Sequence, residues 1–197
     1  MNLLHDVAPG KNIPEEINVI VEINKGSKNK YELDKETGLI MLDRVMYTSQ
    51  DYPFDYGFVP QTHWHDGDPL DVVLLTTHPL VPGLLLTARP VGVLDMIDDG
   101  ESDAKILAVP VKDPRWSEIK DLTDVNPHTI EEIKHFFETY KQIQKKTVTI
   151  PTIRDAKAAK EVIEEGIALY KKEFSDTFPP PLSLHRDHRT ILRGYSL

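Results

Sequence analysis

The sequence feature that most constrains the fold is a series of short apolar segments between residues 17 and 110, separated by turn-forming residues. Apolar side chains recur at every second position from Ile17 to Ile23, which is the spacing of a strand with one buried face. Strands this short, at this spacing, are typical of an antiparallel barrel that is closed or nearly closed. Further strands are predicted near residues 31–33, 39–46, 72–75, 84–93 and 105–109.

Beyond residue 110 the pattern becomes helical. Asn126 followed by Pro127 is an N-cap and first-turn pair, and Asp155 is suited to cap a second helix. Three successive prolines at positions 179–181 end any helix. We therefore expect one domain over residues 1–178, a barrel with C-terminal helices on it, and a proline-rich tail over residues 179–197. The first helix carries an apolar stripe formed by Ile130, Ile133, Phe136, Phe137, Tyr140 and Ile143.

Charge and composition exclude several classes of protein. Lys and Arg number 23 against 32 Asp and Glu, a net charge of −9, so neither a nucleic acid nor an anionic membrane is an expected partner. The chain has no cysteine, which excludes thiol nucleophiles, cysteine-bound zinc and iron–sulfur clusters. No apolar stretch approaches the ~18 residues of a membrane span, and the first residues do not resemble a secretory signal. We expect a cytoplasmic protein.

Two clusters of acidic residues lie beside predicted strands. Asp66, Asp68 and Asp71 fall within six residues of one another, just before the strand at 72–75. An isolated Asp-Gly pair is ordinary turn chemistry, so a solvated turn is the plain interpretation. Three carboxylates held together are different, because two of them ~5 Å apart repel by about 3 kcal/mol at an effective dielectric of ~20. Divalent cations remove that repulsion, and oxygen ligands favour Mg²⁺ or Mn²⁺. We expect the second cluster on a turn at the barrel rim as well; it comprises Asp95, Asp98, Asp99, Glu101 and Asp103.

Two other kinds of metal site can be compared with these clusters. A calcium-binding EF-hand loop that starts at Asp66 fails, because Asp71 and Thr77 stand where that loop needs glycine and glutamate. His63 and His65, separated by one residue, could bind zinc from one face of a strand, although no further ligand follows at a recognisable spacing. A surface or supporting role for both histidines is the plainer interpretation.

Positively charged and phenolic side chains form a third group. Arg44 and Lys105 lie in or next to apolar strands, and each could simply pair with a neighbouring carboxylate. Together with the acidic clusters, the group instead suggests a small polyanion that is bridged to the protein through metal ions and held by Lys and Arg. Phosphate chemistry fits that description. The group comprises Lys30, Arg44, Tyr52, Tyr56, Lys105, Tyr140 and Lys141.

Two sequence blocks closely resemble the signature of the family I soluble inorganic pyrophosphatases: Tyr-Pro-Phe-Asp-Tyr-Gly-Phe at 52–58 and Asp-Gly-Asp-Pro-Leu-Asp-Val at 66–72. The resemblance covers about residues 17–167 in family order. It implies a mainly β fold, a five-stranded OB-like closed antiparallel barrel with flanking helices. It also implies hydrolysis of pyrophosphate to two orthophosphates with several Mg²⁺ ions, Mn²⁺ being the alternative, in a homohexamer. The other matching blocks lie at 21–23, 30–32, 43–44, 89–92, 98–105, 135–138 and 140–141.

The same resemblance implies roles for individual residues. Asp68 would accept the proton of the attacking water, with Lys30, Arg44 and Tyr56 as the other catalytic groups. Lys-Lys-Thr at 145–147 stands where the family has a run like Lys-Gly-Lys, so no phosphate contact is assigned there. The implied metal ligands are Asp66, Asp71, Asp98, Asp103, Glu22 and Glu32. The implied substrate-binding residues are Lys30, Arg44, Tyr56, Tyr140 and Lys141, with Tyr52 and Lys105 lining and bracing the site.

A different class of function is the alternative. An OB-like barrel without catalysis could bind a nucleotide or an oligonucleotide on its face. Such a module needs a basic groove with aromatic side chains for stacking. The acidic rim argues against it.

Overall fold

The computed structural model describes residues 1–174, so the proposed boundary at residue 178 and the tail at 179–197 lie outside the described residues. Most of the regular structure is β, with two long helices near the end. Three short 3₁₀ helices lie at Pro114–Trp116, Leu122–Asp124 and Gln142–Gln144. The strands are β1 Ile17–Ile23, β2 Asn29–Asp34, β3 Leu39–Val45, β4 Asp55–Phe58, β5 Asp71–Leu74, β6 Leu85–Asp98, β7 Glu101–Ser102, β8 Lys105–Pro110 and β9 Val148–Asp155; the helices are α1 Pro127–Thr139 and α2 Ala156–Phe174.

Five strands pair into a closed ring in the order β1, β4, β5, β8 and β6, and β6 then pairs back with β1. The pairs are antiparallel except for β5 with β8, which is parallel. This one pair departs from the all-antiparallel barrel expected from the sequence. The physical reason is the connection: only antiparallel partners can be joined by a tight hairpin, and β5 and β8 are joined through β6. Strands β7 and β9 extend β6, and β2 with β3 forms a separate hairpin.

Alternating side chains of β5 and β8 enter two different cores. Val72 and Ile106 contribute to the core that includes residues of α2, whereas Val73 and Leu107 contribute to the core that includes residues of α1. Burial on both faces explains why these strands are continuous apolar runs in the sequence. Between β1 and β4 the backbones approach so closely that a Cβ atom on Gly57 would lie 2.0 Å from the Ile20 carbonyl oxygen.

Four β segments differ from the sequence predictions. β4, β7 and β9 lie outside the predicted strands, because β4 contains Asp55 and Gly57 in place of an apolar run, β7 is only two residues long, and β9 contains Pro151 and several polar residues. β6 continues to Asp98, five residues beyond the predicted end at 93, because β7 and β9 pair with its second half. Asp95, Asp98 and Glu101 therefore lie on strands and not on a turn, and the Asp95 carboxylate pairs with the Arg154 guanidinium at 2.7 Å.

Both predicted helix caps are present. The Asn126 side-chain oxygen accepts a hydrogen bond from the His128 N–H at 2.9 Å, and the Asp155 carboxylate accepts one from the Ala158 N–H at 2.9 Å. The apolar stripe of α1 is buried or partly buried in the chain's own core, whereas Ile143, predicted on the same helix, lies beyond its end in the 3₁₀ segment Gln142–Gln144 and is 66% exposed. The stripe therefore offers little free surface to a second copy of the chain. No helix within residues 1–174 has the combined length and apolar character that a membrane crossing requires.

Candidate active site

A cavity of about 350 Å³ opens at one end of the strand ring. Every site residue predicted from the sequence lines it except Arg44. The lining also includes residues of the β2–β3 hairpin tip and of the segment after α1 that were not predicted. The predicted residues that line the cavity are Glu22, Lys30, Glu32, Tyr52, Tyr56, Asp66, Asp68, Asp71, Asp98, Asp103, Lys105, Tyr140 and Lys141.

Strand register brings the two acidic clusters together. Asp71, the first residue of β5, pairs with Lys105, the first residue of β8, in the parallel ladder. The buried Lys105 ammonium donates a hydrogen bond to Asp71 Oδ2 at 2.6 Å and another to Asp103. Its Nζ also lies 5.8 Å from the centre of the Tyr56 ring. The plain interpretation of Lys105 as an ion-pair partner is thus correct, and it places the lysine between carboxylates of both clusters.

Burial and charge act in opposite directions on this trio. Burial raises the pKa of Asp71 and of Asp103, while the Lys105 ammonium lowers both; burial prevails, and each pKa lies above its usual value. Burial by itself lowers the pKa of Lys105, but attraction to the two carboxylates outweighs it and the net direction is upward. Two carboxylates therefore share one ammonium, which leaves a local excess of negative charge.

Glu22 increases that excess from β1. Its side chain is 6% exposed, and its Oε1 accepts a hydrogen bond from the Leu33 N–H at 2.8 Å. Burial, reinforced by the charge of Asp71, raises the pKa of Glu22 to about 8. A nearby cation would favour the ionised form of this carboxyl.

Asp98 adds a further carboxylate to the cavity lining. One of its oxygens forms an ion pair with Lys141, while Oδ1 is buried and has no hydrogen-bond partner among residues 1–174. Within the same residues, no group of three or more His, Asp or Glu side chains is arranged as a ready-made ion site. The donor set nevertheless fits a hard divalent cation, because it is made of carboxylate oxygens, carries excess negative charge and includes an unpaired buried oxygen.

The β2–β3 hairpin carries two of the predicted cationic residues, of which only Lys30 lines the cavity. Lys30 and Arg44 are paired in the antiparallel ladder. The Lys30 ammonium forms an ion pair with Glu32 and lies 3.6 Å from Asp43. Burial, together with the charge of Arg44, lowers the pKa of Lys30. Arg44 donates to Asp43 at 2.6 Å and, unlike Lys30, does not line the cavity.

Aromatic packing holds the phenols in place. Tyr52 contacts the Phe136 ring of α1, with the ring centres 4.9 Å apart, and Phe136 stacks on Tyr140 at 5.2 Å. Burial raises the pKa of Tyr52, Tyr56 and Tyr140, so their hydroxyls keep their protons and remain hydrogen-bond donors. The stacking also explains how the end of α1 brings Tyr140 to the cavity.

Two lysines that line the cavity were missed in the sequence. Lys35 lies at the tip of the β2–β3 hairpin and binds the loop at 66–68. Lys146 follows α1 and forms an ion pair with Asp99 at 3.1 Å at the cavity mouth. Nothing about Lys35 distinguished it from an ordinary turn residue. The basic pair at 145–146 departs from the Lys-Gly-Lys-like run of the family, and for that reason the sequence assigns it no contact with phosphate.

Several conspicuous residues lie outside the cavity lining. His65 Nε2 is 3.2 Å from Glu165 of α2, and the His63 ring packs edge-on against Phe174. Both histidines therefore contact α2, which agrees with a supporting role. Asp55, in the middle of the first signature block, is fully buried and accepts hydrogen bonds from two backbone N–H groups at 2.9 Å.

A cavity lined by carboxylates, lysines and phenols in direct contact with one another defines a protein suited to bind a small polyanion together with hard cations. Comparison with known proteins identifies the family. The family model described as inorganic pyrophosphatase matches residues 19–171. The soluble inorganic pyrophosphatase of Zea mays is 49% identical over 166 residues, which cover 84% of this chain and 78% of that protein.

Two further matches cover nearly the whole of the other protein. The inorganic pyrophosphatase of Haloferax volcanii is 46% identical, with 89% of this chain and 99% of that protein covered. The crystal structure of the inorganic pyrophosphatase from Thermus thermophilus superposes with a TM-score of 0.84 at 44% identity, covering 87% and 99% of the two chains. The chain therefore belongs to the inorganic pyrophosphatase family. The likeness also confirms the predicted fold class, mainly β and OB-like with flanking helices.

Proposed function

We propose that this protein is a hydrolase that cleaves inorganic pyrophosphate into two orthophosphates with the help of divalent cations. The observation that carries the proposal is the union, in one cavity, of carboxylates from both acidic clusters with lysines and tyrosines. The relatives that match most of the chain are named as pyrophosphatases, which supports the same substrate.

Mg²⁺ is the cofactor we propose, with Mn²⁺ as the alternative, because both prefer oxygen ligands. When bound, such ions lower the pKa of water and neutralise charge on phosphate oxygens. The Asp98 Oδ1, buried without a hydrogen-bond partner among residues 1–174, and the raised pKa of Glu22 support a cation site in this cavity. The ligands we propose are Glu22, Glu32, Asp66, Asp71, Asp98 and Asp103.

The chain's own residues would divide the remaining work. Asp68 lines the cavity with its side chain 57% exposed, so it can reach water and accept a proton from it. Lys105 would brace Asp71 and Asp103, and Tyr52 would line the site beside it. Lys and Arg side chains stabilise charge that develops on phosphate oxygens. The residues we propose to bind the phosphates are Lys30, Arg44, Tyr56, Tyr140 and Lys141.

The test is release of orthophosphate from pyrophosphate with Mg²⁺ and again after chelation. Replacing Asp71 by asparagine should reduce turnover by at least ~100-fold, because it removes the buried negative charge of a proposed metal ligand. Asp95→Asn is the matched control, since Asp95 lies outside the cavity lining and pairs with Arg154. Near-normal activity of the Asp71 variant would refute its role. Metal-independent, salt-sensitive binding of single-stranded nucleic acid without hydrolysis would instead revive the binding-module alternative.

We further propose a cytoplasmic homohexamer without nucleic-acid or membrane partners, in which residues 1–178 form one domain. Relatives named as soluble enzymes support the cytoplasmic location.

The outer strand β3 offers a better candidate interface between subunits than α1, because four of its apolar side chains are about half exposed or more. Light scattering on a size-exclusion column would test the assembly, and a monomer would refute it. The exposed side chains are Leu39, Met41, Leu42 and Val45.

A further inference from the structure

Lys35 connects two parts of the cavity that are 32 positions apart in the chain. Its ammonium donates a hydrogen bond to the Gly67 carbonyl oxygen at 2.8 Å and lies 2.5 Å from Asp68 Oδ1. Within residues 1–174, Lys35 is the one basic residue that forms an ion pair with Asp68. The contact therefore joins the hairpin that carries Lys30 to the loop that carries the proposed proton acceptor.

The turn that carries Lys35 is ordered by several hydrogen bonds. The Asp34 carboxylate accepts a hydrogen bond from the Thr37 hydroxyl at 2.6 Å, and the Asp34 carbonyl accepts one from the Gly38 N–H at 2.7 Å. The Lys35 carbonyl also accepts a hydrogen bond from the Asn2 side chain at 3.3 Å. Gly38 has a φ of +72°, which favours glycine, so the turn is specified by sequence as well as by contacts.

The loop on the other side is ordered mainly through its backbone. The Trp64 N–H donates to the Asp68 carbonyl at 2.8 Å, and the Asp68 N–H donates to the Asp66 carboxylate at 3.0 Å. Gly67 adopts a φ of +87° between them. These bonds fix the position of the Asp68 main chain but leave the direction of its side chain to the contact with Lys35.

We propose that Lys35 is a positioning residue, which holds the Asp68 carboxylate in its productive direction and keeps the hairpin and the acidic loop in register. The inference rests on the proposed function, in which Asp68 accepts the proton of water. An exposed ion pair contributes little to stability, so the effect should fall on turnover and not on folding. A small displacement of a catalytic group can reduce a rate by up to ~100-fold, and a general base supplies ~10²–10⁴-fold in total.

The first experiment compares Lys35→Met with Lys35→Arg and with Lys28→Met. Lys28 is an exposed lysine near the start of β2 that does not line the cavity. For Lys35→Met we expect kcat to fall about tenfold, which is less than the ~100-fold that a displaced catalytic group can cost. KM should stay within about twofold of the unmodified value, and Tm should not change. Arginine should restore kcat to within about threefold because it keeps the charge and the donors. Lys28→Met should behave as the unmodified protein.

The second experiment repeats Lys35→Met in an Asp68→Asn background. If Lys35 acts through Asp68, the added loss there should be less than about twofold, because coupled residues are not additive. An equal tenfold loss in both backgrounds would overturn the proposal, as would a normal kcat for Lys35→Met. A raised KM with unchanged kcat would also overturn it, in favour of direct substrate binding. An unmodified protein without turnover would contradict the proposed function itself, which keeps the two failures distinct.

Discussion

Replacing Glu22 by glutamine should make the metal-free protein more stable above neutral pH and flatten the pH dependence of its unfolding. Glu22 is 6% exposed, and glutamine can keep the hydrogen bond that its carboxyl accepts from the Leu33 N–H at 2.8 Å. The substitution therefore removes the titration of a buried carboxyl with little change in shape.

The sign follows from the pKa. Burial and the charge of Asp71 raise the pKa of Glu22 in the folded chain from 4.5 to about 8. Between these values the folded protein holds a proton that the unfolded chain has released, so the free energy of unfolding falls as pH rises through this window. At ~1.4 kcal/mol per pH unit, the difference corresponds to roughly 5 kcal/mol as an upper limit.

The assay is urea unfolding in the presence of a chelator at pH 5 and pH 8, on the unmodified protein and on Glu22→Gln. Other carboxyls with raised pKa, including those of Asp71 and Asp103, contribute the same sign to both proteins, so the difference between the two curves reports the titration of Glu22 together with its coupling to Asp71. That difference should grow by roughly 3–4 kcal/mol between the two pH values, because they are three pH units apart and lie almost wholly within the window. Glu131→Gln, an exposed change on α1, is the control. Parallel pH profiles for Glu22→Gln and the unmodified protein would refute the reasoning.

The remaining predictions concern the cavity mouth and two glycines. Lys146→Gln should raise KM about threefold at low ionic strength, and less at high salt, because it removes a half-exposed cation beside Asp99. Lys145→Gln is the neighbouring control. Equal effects of the two substitutions on KM would contradict a specific role of Lys146. Gly57→Ala should destabilise the fold by about 3 kcal/mol or more in thermal or urea unfolding, since its Cβ would lie 2.0 Å from a β1 carbonyl oxygen. Gly166→Ala should stabilise α2 by roughly 0.5–1 kcal/mol, because its Cβ meets only ordinary contacts at 3.6 Å and alanine is the better helix former; a loss of stability would show that reasoning to be wrong.

The sequence predicted those parts of the site that are contiguous in the chain. The sequence alone points to a cation site at Asp66, Asp68 and Asp71, because three carboxylates held together before a buried strand repel one another unless cations are bound. The family resemblance then supplied most of the other lining residues, and the structure brings them together in one cavity. The contact between Asp71 and Lys105 was not predictable from spacing, since it depends on the parallel register of two strands that are separated by β6.

Tertiary contacts decided the features that the sequence did not predict. Lys35 reaches the acidic loop only because the hairpin folds over it, and an exposed lysine in a turn gives no such signal. An apolar helical stripe does not show what covers it, and the structure shows Phe136 of α1 packed against Tyr52 within the chain. β9 was missed because its pairing with β6 outweighs a mixed polar pattern that includes Pro151.

The most direct test of the central claim, that the carboxylates of the cavity hold hard divalent cations, is calorimetric titration of the metal-free protein with Mg²⁺. We predict saturable binding of more than one ion per chain, weakened by Asp71→Asn and unaffected by Asp95→Asn. Absence of saturable binding, or equal binding by both variants and the unmodified protein, would contradict the account.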